Sequence, residues 1–323
     1  MHIDSRRGDA ADSTLTSTEY RLSHFVRWCD QTGIDSMEEL TREHMHDYRV
    51  WRREDGDLAP ASEKTQMDTL RVFIRWCGRM GIVSENLDEA VISPTLDKED
   101  KRSTDIVDHE TAQQILDYLD RYKFASREHV LFVLAWQTGL RTGGLRAIDL
   151  DDYSSDDEAI EIVHRPDSET PLKNKSYGER FVALKPATAE IVDEWIAHNR
   201  PDVTDDHGRE PLIATRQGRI SKNAVRGSMY RLTRPCVFST CPHGREEDEC
   251  KAAQSSDYAY ECPSSTAAHS VRRGAITHML RNDVPDTVVS DRCNVSDEVI
   301  DQHYDRRTEH KKMEQRRGYL DNI

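Results

Sequence analysis

Four short stretches carry side chains that could do chemistry on an anion. In "QTGLRTGGLRAIDLDDY", Arg141 stands just beyond an apolar run and two residues after Gly139. A guanidinium this close to a buried segment needs a partner, because unpaired buried charge is costly. A structural ion pair with Asp149, Asp151 or Asp152 is one reading, and a functional role is the other. In "HSVRRGAITHML", His269 and Arg272 lie three apart, so a helix places both on one face. Two donors can converge there on an anionic group, and histidine can also move a proton; a solvated polar face is the plain alternative. "PLKNKSYGER" puts Lys173 and Lys175 in or beside a turn. Such lysines serve solvation, or act as mobile acids that protonate a leaving oxygen. In "SDEVIDQHYDRR", a helix capped by Ser296 would align Ile300 with Tyr304. Tyr304 then either packs its ring with the hydroxyl in water, or uses that hydroxyl as a nucleophile.

The elements that must position these groups are mostly helices. "STLTSTEYRLSHFVRWCDQTG" has a Ser/Thr-rich start, apolar residues at helical spacing and Gly33 as a stop. "TREHMHDYRVWRRE" and "SEKTQMDTLRVFIRWCGRMG" read as further helices, and "FVRWC" at 25–29 recurs as "FIRWC" at 73–77. Two copies indicate two similar core helices rather than a solenoid. "SPTLDKEDKRSTD" at 93–105 has no apolar periodicity and reads as a linker. Beyond it, "HETAQQILDYLDRY" and "SREHVLFVLAWQTG" are helices, the second buried along Val130–Trp136, with another starting just after Gly139. "AIEIVHR" and "ERFVAL" read as short strands joined by the lysine turn. Helices resume at "PATAEIVDEWIAHN", "SKNAVRGSMYRLTR", "STAAHSVRRGAITHMLRN" and "SDEVIDQHYDRR". The fold class expected is mainly α with a small antiparallel β-sheet (α+β). Its domains are 1–92, a linker at 93–105, and 106–323 with a cysteine-rich insertion at 236–262.

None of the chemical signals is strong alone, but their order is informative: T-G-L-R, a lysine turn, H-x-x-R, then a tyrosine. In that order, from about residue 13 to 310, the chain resembles the tyrosine recombinase family of phage integrases and Xer-type enzymes. The resemblance implies a helical SAM-like core-binding domain followed by a tyrosine-recombinase catalytic domain, together clamping double-stranded DNA. It implies that Arg141, His269 and Arg272 hold the scissile phosphate and that Tyr304 attacks phosphorus to give a 3′-phosphotyrosyl link. Lys173, with Lys175 in reserve, would protonate the 5′-hydroxyl leaving group. It also implies four protomers on paired DNA sites, a charged C-terminal tail ("TEHKKMEQRRGYL") packed on a neighbouring protomer, and no cofactor or metal for catalysis. Guanidinium forks suit a phosphodiester transition state, whose non-bridging oxygens gain negative charge. Two positions depart from the family pattern. Gly144 stands where an acidic residue is usual, with Asp149 as a replacement partner for the cations. Val295 stands where histidine or tryptophan is usual, with Asn294 beside it as a substitute phosphate donor. These departures favour the rival expectation, a catalytically impaired, zinc-stabilised DNA-binding or regulatory protein that keeps the fold.

The chain has 323 residues, enough for two domains with their own cores. It carries 60 acidic residues against 45 basic ones, and the basic ones are 34 arginines and 11 lysines. This composition suits hydration in concentrated salt, a halophilic trait. It sits awkwardly with nucleic acid, but local patches matter more than net charge, and salt screens the repulsion. No apolar run is long enough to span a membrane, and the N-terminus lacks a signal-like apolar stretch, so a cytoplasmic location is expected. Cys236, Cys241, Cys250 and Cys262 fall within one stretch, with His243 among them. Four thiolates suit tetrahedral zinc, so a structural zinc stapling an inserted loop is the preferred reading, with four unligated cysteines as the alternative because C-x2-C knuckles are missing.

Overall fold

The structure, a computed structural model, describes residues 1–10, 12–97, 105–304, 309–317 and 320. The chain divides into two compact units, Met1–Ser103 and Thr104–Ile323. Most of the 93–105 linker expected from sequence, residues 98–104, lies outside the described residues, as do Arg306 and Arg307 beside the tyrosine.

The first unit holds helices α1 (His2–Ser5), α2 (Asp12–Thr32), α3 (Arg42–Asp55) and α4 (Pro60–Arg79). Local chemistry sets their ends. Thr41 accepts from the His44 amide at the start of α3, Pro60 opens α4 where its missing N–H costs nothing, and Gly33 follows α2 at φ +72°. The core packs Phe25 and Trp28 of α2 on Met45 and Tyr48 of α3, and on Met67, Leu70, Ile74 and Cys77 of α4. The repeated pentapeptides are not used alike. Phe25, Trp28 and Cys29 are buried in the first copy, whereas Ile74 and Cys77 are buried in the second with Phe73 and Trp76 at the margin, so the cysteine alone is used in the same way. The two helices turn different faces inward, as independent core helices do.

In the second unit α5 (His109–Tyr122) and α6 (Arg127–Thr138) come first. Asp108 and Ser126 cap them through the amides of Thr111 and His129. Every residue of α6 from His129 to Trp136 is buried, which fits its unbroken apolar run. The helix ends at Gly139 (φ +61°), where a Cβ would stand 2.7 Å from the Cys293 sulfur, so both backbone and space require glycine. After α7 (Thr142–Ala147) come strands β1 (Tyr153–Ser154), β2 (Ala159–Ile162) and β3 (Arg180–Ala183), antiparallel in the order β1-β2-β3. Ile160 pairs with Val182 on the buried face. The sequence reading made β2 longer and its link to β3 a simple turn. Instead the chain leaves the ladder at Ile162 and returns at Arg180, after helical turns at Pro166–Ser168 and Lys175–Gly178. Next are α8 (Pro186–Glu194), the two-stranded ribbon β4 (Ala214–Thr215) and β5 (Gly218–Arg219), α9 (Lys222–Leu232) and α10 (Lys251–Gln254).

The chain finishes with α11 (Ala268–Arg281), α12 (Asp286–Cys293), α13 (Asp297–Val299) and α14 (Glu309–Arg317). Helix α12 was not foreseen in the sequence. α11 lies against α6 and α5, and its Gly274 lets the backbone of Val107 approach so closely that a Cβ would clash with the Val107 carbonyl. A separate small core joins α11 to the C-terminal helices through Ile276, Leu280, Val289, Cys293, Val295, Ile300 and Tyr304. Among the described residues no helix is long and apolar enough to cross a membrane.

Candidate active site

Arg272 projects from α11 into the base of a pocket and is 2% exposed. Its Nη1 donates to the Gly139 carbonyl, where α6 ends, and to the Cys293 carbonyl at 2.8 Å, where α12 ends. Its Nε and Nη2 are buried with no hydrogen-bond partner among the described residues. Buried guanidinium donors are rarely left so, because each unmet donor costs about 1–3 kcal/mol. Arg141 follows Gly139 and precedes α7, which sets its guanidinium beside that of Arg272; its Nη1 donates to the Asn294 carbonyl at 2.9 Å. Arg180, the first residue of β3, donates from Nε to the Arg292 carbonyl at 2.9 Å and from Nη1 to the Gly178 carbonyl at 2.7 Å.

One pattern underlies these contacts. Three consecutive carbonyls at the end of α12, those of Arg292, Cys293 and Asn294, each hold one arginine: Arg180, Arg272 and Arg141. A helix C-terminus has unsatisfied carbonyls and a partial negative charge, so it suits cations. Asn294 stands at φ +48°, the left-handed conformation that Asn tolerates better than most residues, and so ends the helix with its carbonyl turned to Arg141. Its side-chain Oδ1 accepts from Asn174 Nδ2 at 2.6 Å, tying the helix end to the loop that carries Lys173.

Lys173 is exposed and lines the same pocket as Arg141, Arg180, Arg272, Asn174 and Asn294. Lys175 sits two residues on, in a helical turn at φ +53°. His269 begins α11 with an exposed edge, yet desolvation and the charges of Arg273, Arg272, Arg141 and Lys173 push its pKa down to about 4. It is therefore neutral near pH 7. The arginines also crowd one another. Burial and the neighbouring Arg272 hold Arg141 below the usual arginine range, with Tyr304 acting the other way. Burial, then Arg272, Arg141 and Arg292, bring Arg180 down to about 10 against the opposing effect of Cys293. Among the described residues no carboxylate forms an ion pair with Arg141, Lys173, Arg180 or Arg272. A compact anion in this pocket would relieve the whole cluster.

Tyr304 closes a wide helical turn, Ile300–Tyr304, that continues α13. It is 5% exposed and shares its small core with Ile300, Val295 and Cys293, within electrostatic reach of Arg141. Ser296 occupies the cap position of α13 without a side-chain capping bond. The structure thus brings Arg141, Lys173, His269, Arg272 and Tyr304 together, although 163 positions separate the first from the last. Arg180 and Asn174 belong to the same site and were not singled out in the sequence. The only signal for Arg180 was its place at the head of the "ERFVAL" strand.

Two expectations need correction. Asp149 does not partner the pocket cations, and Arg141 forms no ion pair with Asp149, Asp151 or Asp152. Asp149 instead accepts Arg219, Arg209 at 3.2 Å and Arg165 at 3.5 Å, while Asp152 takes Arg165 at 2.6 Å. Arg219 also reaches Asp205 at 2.8 Å. This network ties β5 and the 149–152 turn together, away from the pocket lined by Arg141, Arg180 and Arg272. Gly144 lines the pocket, and Arg141 and Arg272 are held by main-chain carbonyls. Val295 contributes packing in the small core, and the Asn294 carboxamide is engaged with Asn174.

Cys236, Cys241, Cys250 and Cys262 are free thiols, and all four line one pocket with His243. Among the described residues, no group of three or more His, Cys, Asp or Glu side chains is already drawn together as a metal site.

Residues 105–311 match the phage integrase family, and the chain belongs to it. It is 22% identical over 230 residues to the tyrosine recombinase XerC of Psychromonas ingrahamii, covering 71% of this chain and 72% of that protein. It is 26% identical over 211 residues to the tyrosine recombinase XerD of Pseudomonas aeruginosa, covering 64% and 65%. Its fold resembles the Tn1549 transposon integrase in complex with transposon right end DNA (TM-score 0.69, 12% identity, 98% of this chain and 96% of that one). It also resembles a lambda integrase dimer bound to a COC′ core site (TM-score 0.63, 16% identity, 95% and 75%).

Proposed function

We propose that this chain is a site-specific DNA recombinase or integrase that cleaves and rejoins double-stranded DNA through a covalent 3′-phosphotyrosyl intermediate at Tyr304. The observation that carries the reading is Arg272, a buried guanidinium whose Nε and Nη2 lack partners among the described residues, in a pocket of cations with no paired carboxylate. Two parallel N–H groups match two non-bridging phosphate oxygens. The named activities of the Xer relatives and the DNA in the integrase complexes support duplex DNA as the substrate.

In this reading Arg272 and Arg141 take the non-bridging oxygens, and charge builds on those oxygens as Tyr304 Oη attacks phosphorus. Neutral His269 offers a ring N–H to the phosphate and a free ring nitrogen for the tyrosine proton, since anion binding raises its proton affinity. The bond from phosphorus to the 5′ oxygen breaks, and Lys173 delivers a proton to that oxygen. The phosphotyrosyl bond conserves the energy of the broken diester, so attack by another 5′-hydroxyl reverses the step and joins strands. Arg180 and Asn174 hold the pocket wall and the lysine loop. We take the working form to be a homo-oligomer, four protomers on paired sites, in the cytoplasm. The acid-rich, lysine-poor surface suits a salt-rich interior, as in a halophilic archaeon.

The test is a nicked suicide duplex, from which the released 5′ fragment diffuses away and traps the covalent complex. Wild-type protein should yield a DNA-linked band resistant to SDS, and Tyr304→Phe should yield none. If the wild type binds DNA but never becomes attached, the enzyme reading fails and the impaired DNA-binding rival stands.

A further inference from the structure

The segment between α9 and α11 poses a separate question: what keeps it folded. Its base is closed where the Thr266 amide donates to Thr233 Oγ1 at 2.8 Å, and where that hydroxyl reaches the Thr266 carbonyl at 3.2 Å. Above the base, from Arg234 to Ser265, the buried apolar residues among the described ones are Ala252, Ala259 and Cys262. Regular structure there is limited to short helical stretches of three to six residues, α10 among them. So small an apolar interior does not offset the entropy of ordering such a segment. Where a chain cannot bury enough surface, it uses a cross-link or a metal.

We infer that Cys236, Cys241, Cys250 and Cys262 bind one structural zinc ion as four thiolates. The four sulfurs face one pocket with no disulfide among them. The Cys250 carbonyl accepts from the Ala253 and Gln254 amides at 2.8 and 3.0 Å, which fixes Cys250 at the head of α10. Arg234 and Arg245 line the pocket as well, so two cations stand ready for the excess negative charge of a four-thiolate zinc centre. His243 is occupied by Ser264, whose hydroxyl lies 3.0 Å from Nε2. Because the side chains are not already gathered as a metal site, binding must draw the sulfurs together to the ~2.3 Å zinc–sulfur distance. The four thiols release their protons as the bonds form. The ion would fix Cys262, which precedes His269 by only seven positions, and through the Thr233–Thr266 closure it would fix the start of α11.

The experiment uses the full chain, purified without added metal or chelator. Elemental analysis should find one zinc per chain, released when a mercurial blocks the thiols. Cobalt replacement should give thiolate-to-metal charge-transfer absorption of the intensity expected for four sulfurs, and a chelator should lower the melting temperature. Cys241→Ser and Cys250→Ser, at partly exposed positions, should lose the zinc, while His243→Ala should keep it. Absence of stoichiometric zinc with an unchanged melting temperature under chelator would overturn the assignment. So would disulfides among the four in the purified protein, a three-sulfur cobalt spectrum, or loss of zinc in His243→Ala. These readouts do not depend on whether the chain cleaves DNA.

Discussion

Arg272→Lys isolates the feature on which the proposed chemistry depends. Lysine keeps the positive charge but replaces a planar fork by a single ammonium. In the wild type, Nη1 is committed to the Gly139 and Cys293 carbonyls, while Nε and Nη2 remain for an anion. An ammonium at this depth can keep one carbonyl and offer the phosphate one donor, so one of the two phosphate contacts is lost. Removing one preorganised donor from a developing oxyanion costs about 2.7–4 kcal/mol, a factor of about 10²–10³ in rate. The fold should change little, since the lost carbonyl contact (about 1.5–3 kcal/mol) is offset in part by removing unmet buried donors. The assay is single-turnover formation of the covalent complex on the nicked duplex, with protein saturating over DNA and salt fixed. Melting temperature and DNA affinity are measured in parallel. A rate within tenfold of wild type, in a protein that melts normally, would refute the reasoning: the unpartnered donors would then not meet the phosphate. A further check is stabilisation by sulfate, which should raise the melting temperature of wild type more than that of Arg272→Met.

Four more outcomes follow from particular contacts. His269 titrates near 4 in the folded chain, below its ordinary ~6.5; the unfolded chain then binds more protons between these values, so stability is full above ~6.5 and falls as pH drops toward 4. His269→Gln should flatten that slope in urea titrations. Asp149→Ala leaves Arg165 on Asp152 and Arg209 and Arg219 on Asp205 but removes the carboxylate they share, so buried guanidinium donors lose their acceptor and about 1–3 kcal/mol of stability should be lost by chemical denaturation. Gly274→Ala drives a methyl into the Val107 carbonyl and should cost about 3 kcal/mol, read as a fall in melting temperature. Asn294→Gly keeps the left-handed backbone but drops the 2.6 Å bond to Asn174, so it should fold normally and cleave more slowly; Asn294→Ala should also lose about 1–2 kcal/mol of stability.

The sequence made the helices legible wherever periodicity and stop signals coincide. The apolar run of α6 ending at Gly139, and the i, i+3 spacing of His269 and Arg272 on α11, are local facts that one segment contains. The short strands were half legible, because a four-residue strand such as β2 ends where its partner ends, and nothing in "VHR" says that Arg180 is already the last match. Asp149 was misplaced for a related reason. Its partners Arg165, Arg209 and Arg219 arrive from three later segments, and a nearby arginine in sequence, Arg141, proved irrelevant to it. Helix α12 hid because Asp286–Cys293 shows little apolar pattern, and its contribution comes from main-chain carbonyls, which every residue type possesses alike. The order of these residues is legible in the sequence and carries the resemblance; the carbonyls that hold three of the arginines are not.

The end of α12 has a consequence for how this site can vary. An arginine anchored by a carboxylate side chain is one nucleotide change away from losing its anchor. Arg141, Arg180 and Arg272 are anchored by peptide carbonyls, and no codon change deletes a peptide carbonyl. Proton concentration does not titrate one either. Variation reaches these anchors chiefly through Asn294, whose backbone turn aims the last of them. Gly144 beside them is held by packing instead, since a Cβ there would stand 3.3 Å from Leu140.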